Sequence, residues 1–449
     1  MFVKLISPRS PVQFVSKREK AINFSRLSLA TVAALFPRDI KIEIINDSIE
    51  EIDYNGNVDL VGITSITSTA PRAYEIADKF REKGIPVIMG GMHPSALPRE
   101  AIKHADSIVI GEAEGQIKPL VKDLKNGKLK KFYSSQKRPD LTKIPLPRTD
   151  LYEKKNKYYK EMHLIQTTRG CPFNCDFCTV THFFGQTYRT RAVEDIVKEI
   201  KTVSRRTLIF FVDDNIAGNP KYAKRLFKAL IPLNIKWFGQ ASLVLAKNRE
   251  LLKLAARSGC ISLFMGIESI SQKSLKEVGK RMNKVEEYKE SIKIIHDHGI
   301  AIIGAFIFGF DSDDKSVFEE TVSFIDRNQI ELASLAILTP LPGTRLYDRM
   351  EETGRIIERD WSKYTVGEVV FQPKLMNPEE LQEGYYWSRK QLSSLKSIAR
   401  RTFHLRKSSL LYIPVNFMMR KASRATLKGT LNSKTRLIRE NRQIQNLSI

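Results

Sequence analysis

His163-Leu164-Ile165-Gln166-Thr167-Thr168-Arg169-Gly170-Cys171-Pro172-Phe173-Asn174-Cys175-Asp176-Phe177-Cys178 runs from an apolar, strand-like segment into a loop with three cysteines at the spacing CxxxCxxC. Three thiolates suit a soft iron–sulfur centre, and a four-iron, four-sulfur cubane with three protein ligands leaves one iron open for a substrate or cofactor. A zinc site and ordinary buried cysteines are the competing readings, but structural zinc normally takes a fourth ligand at recognisable spacing. Phe177 suits either a shield over a bound group or a core position. Cys260, far away in sequence after Ser258-Gly259, reads as a buried, inert thiol.

Downstream, the plan of strand, loop and helix-like segment recurs. LIFFVDDN (208–215), IKWFGQASL (235–243), ISLFMGIES (261–269), IAIIGAFIFGF (300–310) and LASLAILTPLPGT (332–344) follow the cysteine segment, and all but the last lead into a helical pattern. Six such units predict a partial (β/α)6 barrel, whose chemistry belongs on the loops at the carboxyl ends of its strands. Candidate residues stand there. Asp213 and Asp214 offer carboxylates suited to an ammonium group, or a turn and helix cap. Gln240 and Ser242 face either a ligand or the core. Glu268 closes the fourth strand, and Gly304 and Gly309 permit close backbone approach on the fifth.

Upstream, short apolar runs also alternate with helical patterns: FVKLIS (2–7), a helix around Leu27 to Leu35, IKIEIIND (40–47), LVGIT (60–64), a helix from Ala70 to Lys83, PVIMGG (86–91) and SIVIGE (107–112). This alternation predicts an α/β fold with a doubly wound, Rossmann-like parallel sheet. Its ligand belongs at the strand ends, where Thr64, Thr67, Gly90, Gly91 and His93 lie, although tight turns alone explain glycines there. The polar, proline-bearing stretch SSQKRPDLTKIPLPRTDLYEKK (134–155) reads as a linker with little core of its own. The expected organisation is residues 1–145 as the first domain with its linker, 146–360 as the barrel, and 361–449 as a helical region ending in a basic tail.

CxxxCxxC with an aromatic just before the last cysteine resembles the defining motif of the radical S-adenosylmethionine (SAM) superfamily. The resemblance implies that the open iron chelates SAM and that reduction yields a 5′-deoxyadenosyl radical. It also implies SAM contacts from Asp213, Asp214, Gln240, Ser242, Glu268, Gly304 and Gly309, and an electron donor such as flavodoxin or ferredoxin. The first half, through GGMHPSALPRE and IGEAEG, resembles the cobalamin-binding domain of cobalamin-dependent radical SAM enzymes, most of all the subgroup containing the hopanoid methylase. That assigns Thr64, Thr67, Gly90, Gly91 and His93 to cobalamin. There is no DxHxxG motif, so the resemblance implies cobalamin without a protein imidazole below the cobalt, and His93 also reads as a structural, hydrogen-bonded histidine. The implied activity is methyl transfer to an unactivated carbon of a lipid, isoprenoid or other apolar substrate. A cyclising, rearranging or carbon–carbon coupling enzyme and an RNA-modifying enzyme are the alternatives.

Composition narrows the partners. Four cysteines in 449 residues form no disulfide framework, which suits a reducing cytoplasm. The longest apolar stretch, 299–310, falls short of the roughly 20 residues that span a bilayer. The formal charge of +24 is concentrated after Arg389, where Glu440 is the only acid and Leu, Ile, Phe and Met are interspersed. Such a tail fits peripheral contact with the inner face of an anionic membrane better than nucleic acid, for which no binding module is recognisable.

Overall fold

The computed structural model describes residues 1–12, 27–153, 162–203, 207–403 and 411–424. The first sheet contains β1 (Phe2–Ser7), β2 (Lys41–Asn46), β3 (Leu60–Thr64), β4 (Val87–Gly90), β5 (Ser107–Ile110) and β6 (Phe132–Ser134) in the order β2-β1-β3-β4-β5-β6. All its pairings are parallel. β1 and β3 are neighbours although β2 lies between them in sequence, which makes a topological switch point where the connections leave to opposite faces. Strands covered on both faces need apolar residues at nearly every position, and β1 and β3 are buried almost throughout. Two hydrophobic clusters cover the faces, one built around Leu29, Ile44 and Leu120 and the other around Ile63, Ile76 and Phe80.

The segment expected to be a bare linker is partly structural. Its first residue, Ser134, ends β6, and Leu141 and Tyr152 are buried. Arg148 donates its backbone N–H to the carbonyl of Ala30 at 2.9 Å. The proline-bearing stretch therefore packs back onto the first domain.

The second sheet contains β7 (Met162–Ile165), β10 (Leu208–Phe211), β11 (Trp237–Ala241), β12 (Cys260–Glu268), β13 (Ala301–Phe308) and β14 (Leu332–Ile337), ordered β14-β13-β12-β11-β10-β7 and parallel throughout. Between β7 and β10 a small antiparallel hairpin, β8 (Thr168–Arg169) with β9 (Arg189–Thr190), brackets the cysteine loop. The helix Pro378–Leu392 begins with a capping box between Asn377 and Glu380 and a proline in its first turn, which between them reduce the number of unpaired N–H groups at its start. Leu381 and Tyr385 of this helix share a cluster with Phe308 and Phe310. Among the described residues no helix is long and apolar enough to cross a membrane.

Candidate active site

The carboxyl ends of the two sheets face each other across a cavity of about 450 Å3. Its floor is apolar, with Leu5, Ile63, Ile88 and Val109 from the first domain, and Phe210 and Val212 close it from the barrel. Thr64, Gly90 and Gly91 line it. Gly91 has φ +100°, and a Cβ there would press on the Ser65 carbonyl and the Thr64 hydroxyl, so only glycine lets the chain pass so close to β3. Two expected residues are elsewhere. His93 is buried, within 3.1 Å of the Tyr74 hydroxyl, 3.3 Å of Glu100 and 3.4 Å of the Thr67 hydroxyl. Trp361, from the chain after the barrel, packs its ring edgewise on His93 and donates to Glu100 at 3.0 Å. His93 and Thr67 are thus consumed in a polar knot that ties the C-terminal region to the first domain. No histidine lines the cavity among the described residues.

A second cavity of about 200 Å3 lies on the barrel side, and Cys171, Cys175 and Cys178 all line it. Burial pushes all three thiols up, Cys175 to about 12, so binding iron must displace protons from them. Among the described residues no three His, Cys, Asp or Glu side chains gather closely enough to hold a single metal ion. A cubane asks for something different, since its ligands bind different irons around a common space, and three soft thiols lining one cavity fit it. The loop is clamped from outside: Arg345 reaches Asp176 at 2.6 Å and Arg349 reaches it at 3.0 Å.

Glu268 enters this cavity because the β12–β13 register shifts between Gly266 and Glu268, and Glu268 takes φ +66°. Such a bulge re-aims a side chain, and a non-glycine residue at positive φ holds backbone strain. Its carboxylate meets Lys280 at 2.5 Å. Lys280 lines the same cavity and lies in a plain polar loop, where nothing but its charge marks it out in sequence. Ser242 also lines the cavity, while its hydroxyl accepts from the Val244 N–H at 3.2 Å.

The paired aspartates separate. Asp214 lines both cavities, as does Gln240, so these two side chains form the wall between them. Asp213 is fully buried and accepts from the backbone N–H groups and both hydroxyls of Thr167 and Thr168. Its acceptor capacity is spent inside the chain, which corrects its expected role toward SAM. Gly304 in β13 and Gly309 just after it are absent from the lining of the cysteine cavity. A Cβ on Gly304 would strike Phe306, Ile330 and Ile267, and one on Gly309 would strike Leu381 and Phe371, so both serve packing away from the cysteine cavity. The Gly309 N–H is already taken by Asp313 at 3.0 Å. Cys260 is buried as expected, 3.5 Å from the Ser262 carbonyl.

Residues 165–325 match the radical SAM superfamily and residues 26–121 match the B12 binding domain. Bacteriochlorophyllide d C-12(1)-methyltransferase of Chlorobaculum tepidum is 33% identical over 390 residues, 85% of each chain. The chain belongs to the cobalamin-dependent radical SAM enzymes. Hopanoid C-2 methylase of Rhodopseudomonas palustris is 28% identical over 74% of this chain and 65% of its own. The fold is that of the radical SAM methyltransferase TsrM from Kitasatospora setae, solved with cobalamin and a [4Fe-4S] cluster, at TM-score 0.70 and 14% identity over 95% of this chain and 99% of that one. The cofactors of this radical SAM enzyme are therefore a four-iron, four-sulfur cluster, SAM and cobalamin, and the activity shared by these relatives is methyl transfer.

Proposed function

We propose that the enzyme methylates an unactivated carbon of an apolar substrate, a lipid, isoprenoid or similarly water-poor molecule. The observation that carries this reading is the wall shared by the two cavities, where Asp214 and Gln240 face both. When bound, the cluster and SAM supply a carbon-centred radical able to remove a hydrogen atom, and cobalamin supplies the methyl group. Cys171, Cys175 and Cys178 hold the irons. Asp214 accepts from the ammonium group of SAM, Glu268 from its ribose hydroxyls, and Gln240 and Ser242 contact the nucleoside. Lys280 keeps the carboxylate of Glu268 oriented and offsets negative charge in the cavity. Thr64, Gly90 and Gly91 support cobalamin from the first sheet. Phe183, Phe184 and Phe210 line the larger cavity and exclude water from the place where a substrate carbon meets both halves, which is where proximity contributes to rate.

The test is anaerobic incubation of reconstituted enzyme with SAM, cobalamin, reductant and a lipid extract of its source, followed by mass spectrometry. A product heavier by one methyl group is expected. Loss of hydrogens without an added methyl marks a cyclising or coupling enzyme and overturns the reading.

The surface after the barrel supports an anionic membrane as the place where such a substrate is met. Leu395, Phe403, Leu411 and Phe417 are each about half exposed or more, next to Lys396, Arg400, Arg420 and Lys421. Apolar groups that enter the acyl boundary, beside cations that meet lipid phosphates, favour a membrane surface. Residues 425–449 of the basic tail lie outside the described residues. Sedimentation with phosphatidylglycerol vesicles and not with phosphatidylcholine vesicles is expected; binding to RNA without vesicle binding overturns it.

A further inference from the structure

The hairpin that leads into the first cysteine is built on a repulsive pair. β8 and β9 place Arg169 opposite Arg189, and like charges directly opposite across antiparallel strands destabilise the pairing. Both are largely withdrawn from water, with 7% and 17% of their side chains exposed. The counter-charge comes from the other domain. Glu112, in the turn after β5 and only 4% exposed, accepts from Arg169 at 2.7 Å and from Arg189 at 2.7 and 3.1 Å. Arg169 turns its other edges to Glu114 at 2.7 Å and Gln166 at 2.8 Å, and Arg138 comes within 3.6 Å of Glu112, which among the described residues is the one carboxylate that bridges both strands. Cys171 stands two residues beyond Arg169, and Glu112 also lines the larger cavity.

We propose that Glu112 is a positioning residue for radical generation: seated between Arg169 and Arg189, it lets the first domain fix the loop that presents Cys171 to the cluster. The cysteine loop then reaches its working geometry only while the cobalamin half is docked. Removing the carboxylate leaves Arg169 with Glu114 alone and takes from Arg189 the carboxylate it meets at 2.7 Å, a less favourable state than the intact ion pairs.

The experiment uses the full-length enzyme with reconstituted cluster and bound cobalamin, as Glu112→Gln, Arg189→Gln and the double variant. The readouts are the paramagnetic resonance spectrum of the reduced cluster with and without SAM, and the rate of 5′-deoxyadenosine formation. Neither needs a known substrate, so failure here is separate from failure of the methyl-transfer reading. Glu112→Gln is expected to keep a cooperative thermal transition while the SAM-dependent spectrum changes and cleavage slows about 10–100-fold. The double variant is expected to recover part of that loss, because one cation is removed along with its partner. A native spectrum and rate in Glu112→Gln, or losses that simply add in the double variant, would overturn the proposal. If Glu112→Gln does not fold, Glu112→Asp keeps the charge and shortens its reach: the spectral change is expected again, and a native spectrum is decisive against.

Discussion

Asp213 and Asp214 are chemically identical neighbours, and their surroundings alone give them different work. Asp213 is surrounded by N–H and O–H donors of its own chain, whereas Asp214 receives one backbone N–H, from Gly170 at 3.3 Å, and faces both cavities. Burial pushes the Asp214 carboxyl up to about 6. Above that value it is a carboxylate, the form its proposed role toward the ammonium of SAM requires; as pH falls through it, the group gains a proton and would lose that role. SAM affinity, measured by titration calorimetry on the cluster-loaded enzyme, is therefore expected to weaken on the acid side. Asp214→Asn should flatten the profile and cost about 1.5–3 kcal/mol of binding at neutral pH. Asp213→Asn is expected to show its effect in stability, because an amide turns donors toward the N–H groups of Thr167 and Thr168. A loss of about 1–3 kcal/mol in denaturant unfolding is expected, and a pH-flattened SAM profile from Asp213→Asn with none from Asp214→Asn would reverse the assignment.

At the scale of elements, the cysteine loop depends on a crossing that admits no side chain. Gly170 has φ +86°, and a Cβ there would collide with the Thr187 carbonyl. Gly170→Ala would meet both the left-handed penalty of about 1–2 kcal/mol and a backbone that has to move. The expected result is a folded protein, by circular dichroism, that takes up much less iron on reconstitution; full iron uptake with the native cluster absorbance would contradict it. This hairpin also shows why the sequence was readable in some places and silent in others. Buried parallel strands such as β3 and β13 are continuous apolar runs, so local composition reveals them. β6 escapes because it has three residues with exposed ends, and β8–β9 because two-residue strands pair across the whole cysteine loop. The cysteine motif is legible because its chemistry is local. His93 also reads as a structural histidine from the sequence, but its partners are not legible there, because the fold brings Tyr74, Glu100 and Trp361 together, Trp361 from beyond the barrel.

For the whole molecule, the decisive property is that the larger cavity belongs to neither domain. Leu5, Ile63 and Val109 come from the first sheet, and Phe210 from the second, with Gln166 and Val212 just beyond its strand ends. The same boundary is bridged by Glu112 with Arg169 and by Trp361 with Glu100. A ligand that fills a cavity shared in this way binds the docked protein and not its separated halves, so its binding free energy stabilises both. Adding cobalamin to the cobalamin-free enzyme at about 100 times its dissociation constant should therefore contribute about 2.7 kcal/mol to the stability of the whole. Calorimetry should show a single transition moving upward. Hydrogen exchange should slow in β10 and β11 of the barrel as well as in β3 and β4 of the first sheet. Protection confined to β3 and β4, with the barrel strands unchanged, would mean that cobalamin is held by the first domain alone and that the two sheets do not act as one site.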